Sequence, residues 1–278
     1  ENNVNNNFYT NYIAKWCMEF TLDTLDSIKD ADTEAYHKIV AKTKLTQQEI
    51  EVIKSMSKSI YLPYSKVHGV YLQQDGFLDK NLTHASELSA DERPINQHWS
   101  WDRILRSPYI KQADTLQTFY FFEDAFTIEE LENHFDFYEP LTVHESSLSP
   151  CVHSIQAAKL GRMNQAYEFY LQTSRLDLDD YNQEVHEGLH ITSMAGTWMS
   201  IVEGFGGMRI KDSQLHFSPQ IPQQWQSYSF KINFRGKVLK AIVKHSGSSF
   251  EVSGDEPMII VVNGQTTKVE PNFSLSTL

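Results

Sequence analysis

A chain of 278 residues, 40% hydrophobic and 12% aromatic, can bury one large core or two unequal ones. Its 36 acidic side chains outnumber 24 basic ones, and the resulting formal charge of -12 argues against nonspecific binding to nucleic acid or to an anionic membrane. The longest apolar runs, such as Met258–Val262, fall far short of the ~20 residues of a membrane span.

No signal-peptide pattern precedes the first helix, so the cytoplasm is the expected compartment. On that reading Asn81-Leu82-Thr83 and Asn272-Phe273-Ser274 are chance matches to a glycosylation sequon. Cys17 and Cys151 are far apart and are expected to be buried apolar residues rather than a redox or metal pair. The chain opens on Glu1-Asn2-Asn3-Val4-Asn5-Asn6-Asn7 without an initiator methionine, which reads as an internal cut.

Over residues 8–25, Tyr9, Tyr12, Ile13, Trp16 and Phe20 recur every three or four positions and predict an amphipathic helix. Thr46-Gln47-Gln48-Glu49 and Thr127-Ile128-Glu129-Glu130 are capping boxes, each opening a further helix. Between residues 61 and 97 the periodicity fades around Pro63, Gly69, Gly76 and Pro94, although the aromatic content favours an ordered loop. Ser149-Pro150 predicts a helix capped by Ser149 and closed by Gly161, and another helix is expected over 192–202, ending at Gly204-Phe205-Gly206-Gly207. Beyond Gly207 the period becomes two. Tyr228, Phe230, Ile232 and Phe234 alternate with polar residues, Arg235-Gly236 turns into a strand over 238–243, and Asn263-Gly264 marks a hairpin after Met258–Val262. The sequence thus predicts a helical domain over 1–207 and a small antiparallel β domain over 208–278.

Three clusters exceed what a helical core requires. Residues 93–114 hold Trp99, Trp101, Asn96, Gln97 and several charges, which suits stacking on a pyranose ring and hydrogen bonding to its hydroxyls, or else two core tryptophans with solvated charges around them. The segment Thr142-Val143-His144-Glu145-Ser146-Ser147-Leu148-Ser149-Pro150 places hydroxyls at a helix start, where free amides and the helix dipole attract anions; ordinary capping by Ser149 explains part of the same pattern. His186 and His190 are spaced for one helix face, but Gly188 interrupts them and no cysteine or regular carboxylate pattern accompanies them, so no metal is expected.

Several stretches, in order, resemble successive motifs of the glycoside hydrolase family 65 phosphorylases: Asn5-Asn6-Asn7-Phe8-Tyr9-Thr10-Asn11-Tyr12, residues 96–102, Lys111-Gln112-Ala113-Asp114, residues 142–150 and residues 188–198. Gln73-Gln74-Asp75-Gly76-Phe77-Leu78-Asp79 with residues 93–106 is most similar to the maltose-cleaving branch. The resemblance implies a mainly α fold, the second half of an (α/α)6 barrel, followed by a small antiparallel β-sandwich domain.

It also implies an inverting phosphorolysis in a homodimer, with disaccharide and inorganic phosphate as substrates and no cofactor. An inverting hydrolase needs an acid and a base; a phosphorylase replaces base and water with phosphate, and so needs an anion site facing the anomeric carbon. By the resemblance Lys111 and Gln112 bind the transferred glucose unit. His144, Ser146 and Ser147 are placed on phosphate, with His186 as a weaker candidate and Glu145 turned away from the anion or orienting a neighbour. The family's general acid precedes the segment that Glu1 begins, so no catalytic residue is assigned, the amino-terminal half is the expected partner, and the chain by itself is expected to be inactive. Trehalose, kojibiose or nigerose phosphorylases and hydrolases of the same family are the alternatives, with a noncatalytic sugar-binding module further off.

Overall fold

The computed structural model describes residues 4–271 and 275–277; Glu1 and the Asn272-Phe273-Ser274 sequon lie outside the described residues. The chain divides into two compact units, one made of Glu1–Tyr109 and Asp114–Leu141, the other of Ile110–Ala113 and Thr142–Leu278.

In the first unit, α1 (Phe8–Ala31) starts at Asn7, whose side chain accepts from the Thr10 amide. It packs against α2 (Thr33–Thr43), α3 (Gln47–Ser59) and α6 (Thr115–Phe121). The expected apolar stripe is only partly covered. Tyr12 and Trp16 lean on Phe122, yet Trp16 and Phe20 remain 41% and 55% exposed. Cys17 shares this open part of α1 and is exposed, a correction to its expected burial, whereas Cys151 is buried as expected.

Both capping boxes form, at Thr46 before α3 and at Thr127 before α7 (Ile128–Tyr138). The aromatic loop between α3 and α6 is ordered by short elements: a hairpin of β1 (Tyr64–Ser65) and β2 (Val70–Tyr71), 3-10 turns, α4 (Ile95–His98) and α5 (Trp101–Arg106). Helix α7 fastens the hairpin: the Tyr71 amide donates to His134 Nε2 at 2.7 Å, and Tyr138 Oη accepts from the Gln73 amide and donates to the Tyr71 carbonyl. Each bond satisfies a buried polar atom that would otherwise cost ~1–3 kcal/mol.

In the second unit, α8 (Ser149–Lys159), α9 (Met163–Ser174) and α10 (Ile191–Met199) pack together, and α10 runs on into one wider π turn, Ser200–Phe205. Two four-stranded sheets follow. One has the order β10–β7–β6–β5, from β5 (Ser227–Phe234), β6 (Lys237–Lys244), β7 (Gly247–Val252) and β10 (Leu275–Thr277). The other has the order β3–β4–β8–β9, from β3 (Arg209–Lys211), β4 (Gln214–Phe217), β8 (Met258–Val262) and β9 (Gln265–Val269). Phe217, Phe230, Leu239, Phe250 and Ile260 fill the space between the sheets. Asn263 and Gly264 adopt φ of 49° and 79°, the positive values that a two-residue hairpin requires.

The β region is not wholly antiparallel, because β4 pairs with β8 in parallel, Leu215 opposite Ile260. Two consecutive strands joined by a tight turn must run antiparallel, but β4 and β8 are separated by three strands of the other sheet, which leaves their direction to the crossover. Helices and sheets of this unit meet at Trp225, which stacks edge-on against Tyr170 and Phe205, and at Gln220, whose side chain donates to the Ala158 carbonyl at 3.0 Å.

Burial lowers the pKa of His134 and of His153 from 6.5 to about 4. Both rings are therefore neutral in the folded state at pH 6, while the unfolded chain starts to bind protons below about 6.5. Their contribution to stability is complete above pH 6.5 and is lost as pH falls toward 4, by roughly 3 kcal/mol each at the limit. Denaturant midpoints measured between pH 7 and pH 4 should drop accordingly, and His153→Gln should flatten the slope; an unchanged slope in that variant counts against burial of a neutral His153.

Candidate functional site

The residues singled out in the Lys111-Gln112 and 142–150 motifs all lie in the second unit. Ile110 and Thr142 form an isolated parallel bridge, and the Val143 amide donates to the Ile110 carbonyl at 2.9 Å, so the Lys111-Gln112 strand runs beside the serine-rich segment. Ser146 closes the join. Its hydroxyl donates to Gln112 Oε1 at 2.6 Å and accepts from the Leu148 amide at 3.2 Å. A serine has one proton to give, so in this arrangement Ser146 has none left for a ligand.

Ser149 does not cap α8 as expected. Leu148 occupies the cap position without a side-chain bond, and Ser149, already inside the helix, meets His144 Nδ1 at 3.0 Å. The reason is His144 itself, which takes a left-handed φ of 56° and turns its ring inward onto His153 and Phe169, where Ser149 is the neighbour it reaches. His144 is thus held in the packing beneath α8, and Glu145 is 5% exposed. Ser147 is more open, and its Oγ lies 2.9 Å from Thr192 Oγ1. Lys111 is exposed.

Thr192, which the sequence reading did not single out, meets Ser147 and stands at the second position of α10. The cap position belongs to His190, whose amide and Nδ1 both bond Asp177, at 2.9 and 2.5 Å. Those bonds hold the Asp177 carboxyl below the usual carboxylate range. His186 sits four residues earlier on the exposed 3-10 turn Val185–Glu187, and Gly188 at φ 113° breaks any helix between the two histidines. They do not share a helix face. Of the two histidines, His190 is the one that adjoins Thr192 in the chain, at the cap of the same helix. The Gly188–Trp198 motif contained both His190 and Thr192, but only the tertiary structure brings Thr192 to Ser147.

What brings α10 to α8 is Gly196: a Cβ there would lie 2.7 Å from Cys151 Cβ. Ser193 Oγ donates to the Thr173 carbonyl at 2.6 Å and Ser154 Oγ to the Ala166 carbonyl at 2.8 Å, tying α10 and α8 to the α9 region. Burial pushes the Cys151 thiol pKa up, so it lacks the thiolate a nucleophile needs. Among the described residues no group of histidine, cysteine or carboxylate side chains is arranged to hold a metal, and no helix is long and apolar enough to cross a membrane.

In the first unit, the 93–114 cluster gives a mixed result. The Arg103 guanidinium covers the Trp99 ring at 3.5 Å and pairs with Glu92 at 2.6 Å, so Trp99 is engaged internally, while Trp101 is 70% exposed. Asp114 accepts from Gln73 Nε2 at 2.7 Å and from Asn7 Nδ2 at 3.2 Å, tying the start of α1 to the β2 segment.

Residues 1–199 match the glycosyl hydrolase family 65 central catalytic domain, and residues 208–269 match the C-terminal domain of that family. The chain belongs to glycosyl hydrolase family 65. It is 46% identical to the maltose phosphorylase of Bacillus subtilis (strain 168) over 98% of its own length and 36% of that protein. Against the alpha,alpha-trehalose phosphorylase of Thermoanaerobacter brockii the identity is 38%, over 92% of this chain and 33% of the relative. The kojibiose phosphorylase of Halothermothrix orenii is 32% identical, over 99% of this chain and 36% of that one. A solved structure, a putative kojibiose phosphorylase from human microbiome, superposes with a TM-score of 0.89 at 36% identity, covering 99% of this chain and 38% of its own. The chain thus spans about a third of the length of the family 65 relatives it matches.

Because Gly196 is in contact with Cys151, Gly196→Ala should overpack the α8–α10 contact and destabilise the fold by about 1–3 kcal/mol. Denaturant unfolding measures this, and a loss below about 0.5 kcal/mol would mean that the helices are free to move apart.

Proposed function

We propose that the protein carrying this chain is an inverting disaccharide phosphorylase acting on maltose, with residues 1–207 part of its catalytic domain and 208–278 its small β domain. The reading rests on family membership and on one contact, the hydrogen bond from Ser146 to Gln112, which joins the segment proposed for sugar to the segment proposed for phosphate. A phosphorylase needs those two sites side by side, since a phosphate oxygen must bond to the anomeric carbon as the glycosidic bond breaks.

Lys111 and the NH2 of Gln112 supply donors to the hydroxyls of the transferred glucose unit. Ser147, Thr192 and His190 supply the anion side, at the starts of α8 and α10, where the positive end of each helix dipole favours an anion. Ser146 couples the two sides, and His144 supports the turn from behind. The proton for the leaving oxygen comes from a general acid that the resemblance places ahead of Glu1. Glucose and β-glucose 1-phosphate are the products. The greater identity to maltose phosphorylase, 46% against 38% and 32%, favours maltose, while the structural likeness to a putative kojibiose phosphorylase supports kojibiose as the second reading.

Product analysis of the complete protein decides among these: glucose 1-phosphate released from maltose only when phosphate is present supports the first reading, and release from kojibiose or trehalose instead replaces it. Sugar binding without turnover would leave a noncatalytic module.

Lys111→Ala should lower kcat/KM for the disaccharide by roughly tenfold to a hundredfold, the value of a charged hydrogen bond. An unchanged value in folded protein removes Lys111 from the sugar site. Ser147→Ala should raise the half-saturating phosphate concentration far more than that of the disaccharide. Ser146→Ala, by releasing Gln112, should raise both. If Ser147→Ala weakens only disaccharide use, the segment belongs to the sugar side.

A further inference from the structure

Asp177 lies in the loop after α9, and both its oxygens serve one residue. Oδ2 accepts from the His190 amide at 2.9 Å, and Oδ1 from His190 Nδ1 at 2.5 Å. A carboxylate on Nδ1 sets the tautomer: the Nδ1 proton faces Asp177, and Nε2 is the ring nitrogen left to address a ligand. Glu184 is the other carboxylate near the ring, with Oε2 3.8 Å from Nε2, beyond hydrogen-bond range but within ion-pair reach, so phosphate at Nε2 takes the place of that carboxylate. The amide bond acts in parallel with the ring bond, because it fixes the backbone at the cap of α10, two residues before Thr192 and its contact with Ser147.

We propose that Asp177 is a positioning residue of the phosphate site, holding His190 so that Nε2 and the first turn of α10 face the anion together with Thr192 and Ser147. This rests on the phosphate reading given above. Asp177 touches no substrate; it acts by restricting the ring and the helix start to one arrangement, so that phosphate binding does not have to order them.

The test has two readouts. In the complete protein, Asp177→Asn preserves side-chain size but puts a donor amide where His190 needs acceptors; the half-saturating phosphate concentration should rise about tenfold, with a much smaller change for the disaccharide, and Asp177→Glu should recover part of the loss. In the same complete protein, labelled at histidine, long-range proton–nitrogen spectra of the His190 ring should show an Nδ1-bound proton in the parent and a shifted tautomer population in Asp177→Asn. Ser147→Ala serves as the independent control on the site. If Ser147→Ala raises the phosphate requirement and Asp177→Asn does not, Asp177 has no positioning role and the site stands. If Asp177→Asn acts selectively on phosphate and Ser147→Ala does not, the inference stands and the assignment of Ser147 falls. Equal loss for both substrates in Asp177→Asn, without tautomer change, overturns the inference as a matter of general stability, as does a parent ring that carries no Nδ1 proton.

Discussion

Helix α8 is buried at every position from Ser149 to Ala158, and the second unit is arranged around that fact. A helix enclosed on all sides must satisfy its polar side chains inside the protein, since each one left unpaired costs ~1–3 kcal/mol. Ser149 meets His144, His153 Nδ1 reaches the Ser149 carbonyl, and Ser154 donates to Ala166. These bonds fix the approach to α8 as well as the helix itself. Ser149 is held by a ring that folds in from His144, whose backbone is left-handed, and beyond that turn Ser146 stays buried while Ser147 is partly open.

The close approach of α10 follows from the same enclosure. Gly196 allows its backbone onto Cys151, and the contact brings the start of α10 near the start of α8. Two helix starts and a pair of hydroxyls then lie together, with Asp177 holding the second start through His190. The chemistry proposed for this place draws on groups fixed by packing rather than on mobile side chains, which suits electrostatic stabilisation of an anionic nucleophile, because preorganised donors do not have to be ordered during the reaction. The single proton of Ser146 is committed to Gln112, so Ser146 is not counted among the donors of the anion site proposed here.

The family 65 assignment and the geometry meet at different levels. The assignment covers both the helical and the β portions of the chain, while the relatives it rests on are about three times as long and differ in the disaccharide they are named for. The choice among disaccharides is left to the product analysis.

By itself the sequence determined whatever depends on neighbours a few residues apart. The capping boxes at Thr46 and Thr127, the long helix from Phe8 and the Asn263-Gly264 turn are set by local backbone geometry, and each is where the residues place it. The helix over residues 149–159 was legible too, but not its burial, because Ser149, His153, Ser154 and Gln156 make it look like a surface helix until their partners are known. Motif resemblance pointed to Gln112, Ser146 and Ser147; only the tertiary structure joined Gln112 to Ser146 across 34 positions and brought Thr192 to Ser147 across 45. It also decided the parallel pairing of β4 with β8 and the exposure of Cys17. The physical reason is common to all of these: a hydrogen bond or a close approach between distant residues depends on which helices and strands are enclosed together, and periodicity along the chain carries no record of that.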